Sequence, residues 1–423
     1  MKKKVSLLAA AAVCSTSLYS MQFQTLGYKS VAMGGAAVAS SSGSFATYNN
    51  PALLANTTYD VEFALGGGVA FEDHGAGASV SALDENGFMD VLDKAGEDVD
   101  SLTDEDKNIL ITGKDIVLGM DGDALSVDPQ LFLSMQVGNF GFGVFGSSNA
   151  VATAKVDQTH DQLYFQNDDK YYDIDGNEVT QSEYENYSME YAIDNGDTYL
   201  DVRGIAIAEV PIAYGVSFDS AGKLMIGGAV KYMKGISYID RLQLDDSDEE
   251  QDYKKDVTTD TFGIDVGIAY QPAIAKDLTL AVVGKNLNSP TFDTVGEDGE
   301  VAGEITVKPL VRAGVAYNLF ESLEVAVDYD ITSNETLVDG FKSRMVGGGI
   351  SWHPASWLAF RGGAMQNLDA SDNAGVIYTA GIGAGLKWFQ FDISGQYSSN
   401  EATIDGQTVP EYAKINFAIL SRW

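Results

Sequence analysis

One pattern constrains this chain more than any other: a side-chain period of two, repeated along most of its length. Phe262, Ile264, Val266, Ile268 and Tyr270 alternate with Thr261, Gly263, Asp265, Gly267 and Ala269. Leu323, Val325, Val327, Tyr329 and Ile331 alternate with Glu324, Ala326, Asp328 and Asp330. Phe389, Phe391, Ile393 and Tyr397 alternate with Gln390, Asp392, Ser394 and Gln396. Successive side chains of a strand point to opposite faces, so each run reads as a β-strand with one apolar face. A soluble sandwich also alternates, but it places many long charged side chains on the polar face. Here that face is mostly Gly, Ala, Ser and Thr with isolated charges, which suits the crowded interior of a closed barrel.

Such segments fall near 58–72, 129–138, 140–153, 200–218, 223–243, 257–271, 277–289, 304–318, 322–332, 340–353, 356–367, 374–387, 389–399 and 411–423. Their even number and the alternation of short with long connections predict an all-β fold: a fourteen-stranded antiparallel transmembrane β-barrel of the outer membrane. No apolar run of 18 residues occurs, so a helical span is excluded and a closed barrel is the spanning structure left. The long connections, 73–128, 154–199, 244–256, 290–303, 333–339, 368–373 and 400–410, are then extracellular. The first is expected to be partly helical, near 88–95 and 103–110, where Ser101 or Thr103 offers a cap. The second contains Asp173, Asp175, Asn177 and Glu178, which lack calcium-loop spacing and the distal Glu, so it reads as a solvated loop.

Lys2, Lys3 and Lys4 precede an apolar run at 5–13 and small residues through Ser20, the pattern of a secretory signal peptide over 1–20. The expected location is therefore the outer membrane of a Gram-negative bacterium, reached through a cleaved signal. Cys14 is the only cysteine, so a chain cut after Ser20 has no disulfide, thiolate metal site or redox pair. Residues 21–56 follow. The stretch 26–55 is rich in Gly, Ala and Ser, has one charge (Lys29), lacks a clean period and carries the turn signal Asn50-Pro51. It reads either as a flexible linker or as a hatch plugging the barrel lumen, with 57–423 as the barrel.

Met33-Gly34-Gly35-Ala36, followed by Ala46 and then Asn50-Pro51-Ala52-Leu53, resembles the N-terminal hatch of the long-chain fatty acid transporter (FadL) superfamily. The variant Asn50 through Ala55 looks most like the barrel-type conjugal transfer TraF proteins, which are distinct from the thioredoxin-like protein of that name. Val283-Gly284-Lys285-Asn286-Leu287-Asn288-Ser289-Pro290 is similar to a second stretch of those proteins. The resemblance implies hatch residues Gly34, Gly35, Asn50, Pro51 and Ala52, and a barrel that passes hydrophobic or amphipathic molecules. A hydrophobic small-molecule ligand is implied with it.

The final segment, through Phe417, Ile419 and Trp423, looks like the C-terminal signal of outer-membrane barrels and implies the barrel assembly machinery as a partner. The formal charge of −35 and the absence of a basic patch argue against nucleic-acid binding. Acid runs such as 245–252 suit solvated loops, or divalent-cation bridging to lipopolysaccharide beside the outer-membrane lipid. No cofactor, metal site or enzymatic activity is expected. His74, His160 and His353 are isolated, and runs such as 66–68, 347–349 and 381–385 sit in strands without a following helix, where they read as sheet-bending sites.

Strand parity places Glu62, Arg203, Glu209, Lys231, Asp265, Lys285, Lys308, Arg312, Glu324, Asp328, Asp330, Arg361, Lys387 and Asp392 on the inner face. They read as paired charges around a buried hatch, or otherwise as a charged conduit. Two functions stand. One is passive transport of small hydrophobic or amphipathic molecules, which calls for an apolar pocket above the hatch and a lateral opening. The other is a non-transporting envelope, surface or conjugal-transfer-related component, which calls for a lumen sealed by ion pairs.

Overall fold

The computed structural model describes residues 24–219, 222–243, 255–296, 298–336, 341–369, 375–386, 388–404 and 407–423. The signal segment, the acid run 245–252 and Lys387 lie outside these residues. Fourteen strands close into one antiparallel barrel. They are β1 Val61–His74, β2 Ala124–Val137, β3 Phe140–Lys155, β4 Tyr199–Asp219, β5 Gly222–Gln243, β6 Lys255–Pro272 and β7 Leu278–Lys285. The second half comprises β8 Leu310–Phe320, β9 Leu323–Asp330, β10 Met345–Ala355, β11 Leu358–Asn367, β12 Val376–Leu386, β13 Phe389–Ser398 and β14 Tyr412–Arg422. Closure is made by β1 on β14, with Glu62 opposite Arg422 and Glu72 opposite Tyr412.

The alternation seen in sequence is the alternation of faces. Phe262, Ile264, Ile268, Tyr329, Phe391 and Phe417 are exposed on the outside, where bilayer takes the place of water. Gly, Ala, Ser and the isolated charges point inward. The barrel interior is then filled by residues 26–56. Their elements are α1 Tyr28–Ala32, α2 Ala46–Asn49 and 3-10 turns at Gly43–Phe45 and Pro51–Asn56. This stretch is the hatch.

Two loop expectations are corrected and one is extended. The first long connection holds α3 Ala76–Glu85 in addition to helices over the two stretches expected, α4 Phe88–Glu97 and α5 Asp104–Gly119. Of the two caps offered by the sequence it is Thr103 that caps α5, accepting from the Asp106 N–H, and the Asp106 carboxylate in turn accepts from the Thr103 N–H. The connection 154–199 is not a purely solvated loop. It folds into a three-stranded sheet, α6 Gln181–Tyr187 and α7 Met189–Asp194. Its Leu163, Phe165, Met189 and Ile193 pack with Phe88, Leu110 and Val117 of the first connection into a separate apolar core. The polar composition concealed this because the apolar partners come from two distant segments. The Asp173 carboxylate accepts from the backbone N–H groups of Asp175 and Asn177, so that motif is a structural turn.

The second correction concerns 290–303, expected outside the barrel. Thr291–Val295 and Val301–Thr306 pair as a hairpin that turns inward. Phe292, Val295, Ile305 and Val307 pack on the inner-face residues Ile205, Ile207, Met233 and Ile239. The strand expected at 304–318 therefore begins only at Leu310.

In the outer domain, burial pushes the Glu190 carboxyl up to about 7, and nearby Asp194 adds to the shift. Hydrogen bonds from the Gln166 N–H and the Tyr184 hydroxyl oppose it. A carboxyl raised in the folded state contributes stability below its ordinary pKa near 4.5, and that contribution is lost as pH rises through about 7. Proteolytic nicking within 154–199 is therefore expected to be faster at pH 8 than at pH 5.5. Glu190→Gln, which keeps both acceptor bonds, removes that difference; an unchanged pH dependence would assign it to other groups.

Candidate functional site: the filled lumen

The hatch lies directly on the barrel wall because the wall supplies glycine where the two backbones meet. A Cβ on Gly227 would stand 2.3 Å from the Pro51 carbonyl, one on Gly267 1.8 Å from the Asn50 side-chain oxygen, and one on Gly347 2.0 Å from the Gly34 oxygen. These glycines, including the 347–349 run expected to bend the sheet, make room for the plug. Gly34 and Gly35 have φ of 62° and 82°, a turn that other residues rarely adopt, and Gly34 is wedged against the Ala364 and Gly348 carbonyls.

Asn50 is fully buried and extended. Its Oδ1 accepts from the Ala52 N–H at 3.1 Å, and its Nδ2 donates to the Val38 carbonyl at 2.9 Å, so one side chain caps the 3-10 turn and ties two hatch segments together. Pro51 opens that turn at a position whose N–H is not needed. Ala52, Leu53 and Leu54 then pack with Ala213, Met225, Ala229 and Ala269 of β4–β6.

Wall charges hold the rest. Glu62 accepts from the Ser44 N–H at 2.9 Å and from Arg422 Nε at 2.6 Å. Asp328 accepts from the Ala37 and Val38 N–H groups at 2.8 and 2.9 Å. Lys29 of the hatch pairs with Glu324 at 2.7 Å. Other charges pair within the wall: Lys231 with Glu209 at 3.0 Å and Asp265 at 3.2 Å, Arg312 with Asp330, and Arg361 with Asp392. Lys231, Asp265, Arg312 and Asp392 are buried, and ions removed from water persist only with partners of this kind. Lys285 stands 3.2 Å from the centre of the Tyr48 ring of the hatch.

Two predicted inner charges differ from the rest. Arg203 pairs with Asp201 on its own strand, near the outer end of β4. Lys308 is a correction: it stands before the start of β8 and pairs with Glu335 at 2.8 Å, half exposed among the outer connections, because the barrel ladder has not yet begun there. Sequence reading missed the wall contacts of Thr379, Gln396 and Lys414, which reach the Gly34–Ala32 backbone, the Val31 carbonyl and the Thr25 carbonyl. Only their inward parity marked them. Among the described residues no group of three or more His, Cys, Asp or Glu could hold a metal ion.

The barrel with its internal plug is similar to solved outer-membrane channels. The Pseudomonas putida toluene transporter TodX matches over 96% of this chain and 99% of its own, at 14% identity and a TM-score of 0.51. The Ralstonia pickettii toluene transporter TbuX matches over 97% and 100%, at 13% identity and 0.52. A Pseudomonas aeruginosa FadL homologue matches over 96% and 99%, at 10% identity and 0.49. At these identities the likeness concerns the fold. No curated protein matches in sequence. The profile of the family described as "F plasmid transfer operon, TraF, protein" matches residues 47–330, more than half of the chain, from α2 through β9. The chain therefore belongs to that TraF family, and its barrel fold is similar to that of the toluene transporters TodX and TbuX.

Proposed function

We propose that this protein is a passive outer-membrane transporter of small hydrophobic or amphipathic molecules, closed in the conformation described. The observation that carries the reading is an apolar strip on the inner wall, Ile205, Ile207, Met233 and Ile239, beside a step in the barrel. β6 has 18 residues and β7 only 8, and the two pair only from Val266 to Tyr270. Beyond that point the side of β6 is covered by Leu287, Asn288 and the inward hairpin. Moving the hairpin would uncover an apolar surface at a break in the wall, a route a hydrophobic molecule can enter without crossing water. The toluene transporters with this fold support the substrate class.

The hairpin is pinned by Thr259, whose hydroxyl accepts from the Asp293 N–H at 2.8 Å and donates to its carboxylate at 3.0 Å. A disulfide formed by Thr259→Cys with Asp293→Cys is expected to stop toluene uptake into proteoliposomes, with reductant restoring it. Uptake at an equal rate in the locked and reduced forms would overturn this route.

A second reading, a non-transporting envelope component connected with conjugal transfer, draws on the ion pairs and hatch that fill the lumen. It takes over if neither the full-length nor a hatch-free barrel passes solute. The proposed partners are outer-membrane lipid and lipopolysaccharide, the barrel assembly machinery acting on β14, and a hydrophobic ligand. Export includes cleavage of the signal after Ser20, so the purified protein is expected to start at Met21.

A further inference from the structure

The ladder of the wall stops short on one side of β6. Leu287 donates its N–H to the Ile264 carbonyl at 2.9 Å, and the Asn288 side chain then stands in for the next residue of β7. Its Oδ1 accepts from the Ile264 N–H at 2.9 Å, and its Nδ2 donates to the Phe262 carbonyl at 2.6 Å. Backbone groups of an antiparallel strand point to one side at every second residue, so those of Asp260, Thr258 and Asp256 face the same way as those of Ile264. Among the described residues no strand pairs with that side beyond Val266, and no backbone hydrogen bond reaches Asp260, Thr258 or Asp256 there.

The inward hairpin leaves this edge open because it lies on the inner face instead. Phe292 rests on Gly235 and the Val295 N–H donates to the Ser237 hydroxyl, both on β5, while the hairpin side chains reach Ile205 and Ile207 of β4. A strand beside β6 in the plane of the sheet would stand too far from β4 for that. On the outward face Asp260, Thr258 and Asp256 are exposed. They follow the edge-on ring pair of Tyr232 with Phe262, the aromatic level at which a barrel leaves the bilayer. The edge therefore stands in water. Its sequence, Asp256-Val-Thr-Thr-Asp-Thr-Phe262, is rich in β-branched residues and has no proline, so its backbone suits a further strand.

Charge decides which strand. In antiparallel pairing of two copies about Thr258, Asp256 of each lies opposite Asp260 of the other, and like charges directly opposite destabilise a pair. Lys234 stands opposite Asp260 on β5, and the Tyr232 hydroxyl donates to that carboxylate. The exposed Asp298 and Glu300 flank Gly299, which lies against Lys255 at the start of β6, so the edge is acidic on balance. We propose that β6 from Asp256 to Phe262 is a docking edge for an extended segment of another protein. That segment adds antiparallel to β6 as a continuation of β7 and carries Lys or Arg at positions i and i+4, opposite Asp260 and Asp256. Main-chain bonds hold it and the two ion pairs select it. The docking does not depend on the transport reading, which concerns the inner face.

The full-length protein in lipid nanodiscs is titrated with the end-blocked, fluorophore-labelled peptide Thr-Lys-Val-Thr-Val-Lys-Thr. Saturable binding is expected, with the amides of Thr258 and Asp260 exchanging about tenfold slower in its presence while those of Thr259 and Thr261, which face β5, are unchanged. N-methylation of both lysines and the central threonine, whose amides face β6, abolishes binding. Asp256→Lys with Asp260→Lys weakens the peptide by about tenfold or more and admits the same peptide with Glu in place of Lys, a swap that misfolding cannot imitate. Unchanged exchange at Thr258 and Asp260, or equal binding of the N-methylated peptide, would overturn the proposal. Edge amides already protected in the protein alone would do the same, and a Thr258→Cys variant that cross-links to a second copy would overturn it in favour of self-association.

Discussion

Deleting residues 27–52 behind an intact signal leaves a folded barrel that conducts steadily in planar bilayers, where the full-length protein conducts little. The strands pair with one another around the whole circumference, and β1 closes on β14 without any hatch residue in the ladder. Losing the hatch returns Glu62, Asp328 and Glu324 to water, which favours charged groups, so the wall does not collapse for want of their hatch partners. Heat-modifiable migration reports folding and single-channel recording reports the opening. A folded but silent deletion would mean that wall side chains and the inward hairpin close the lumen unaided. An open full-length channel would make the protein a porin.

Lys231→Met destabilises the barrel by about 3 to 5 kcal/mol, the range for removing one partner of a buried ion pair. Lys231 is 1% exposed and lies between Glu209 and Asp265 on the neighbouring strands, so methionine fills its volume but leaves two carboxylates facing each other. Urea titration of the folded fraction measures the loss. The triple replacement Lys231→Met, Glu209→Gln and Asp265→Asn removes the uncompensated charge and recovers most of it. Wild-type stability in the single variant would show that water reaches this cluster and that the lumen is wet at this level.

How much of this was legible in the sequence follows from the range of each interaction. A strand announces itself through its neighbours at i and i+2, so the barrel strands stood in the sequence, although the alternation is blurred over 342–352, and Asn50-Pro51 announced a turn through the backbone restriction that proline imposes. Contacts between distant segments have no such signature. Nothing near Gly227, Gly267 or Gly347 says that a backbone from the N-terminal region will lie across them. The polar loop 154–199 did not show that its few apolar residues would meet Phe88 and Leu110 in one core. Parity put Lys308 on the inner face because it assumed that the ladder ran through it, and the inward hairpin removed that segment from the barrel wall. The amino-acid sequence by itself determined the strands, their faces and the charges available to the lumen, because these depend on spacing of a few residues. Only the tertiary structure decided which charges pair with the hatch and which pair within the wall, because each depends on groups that closure of the barrel brings together.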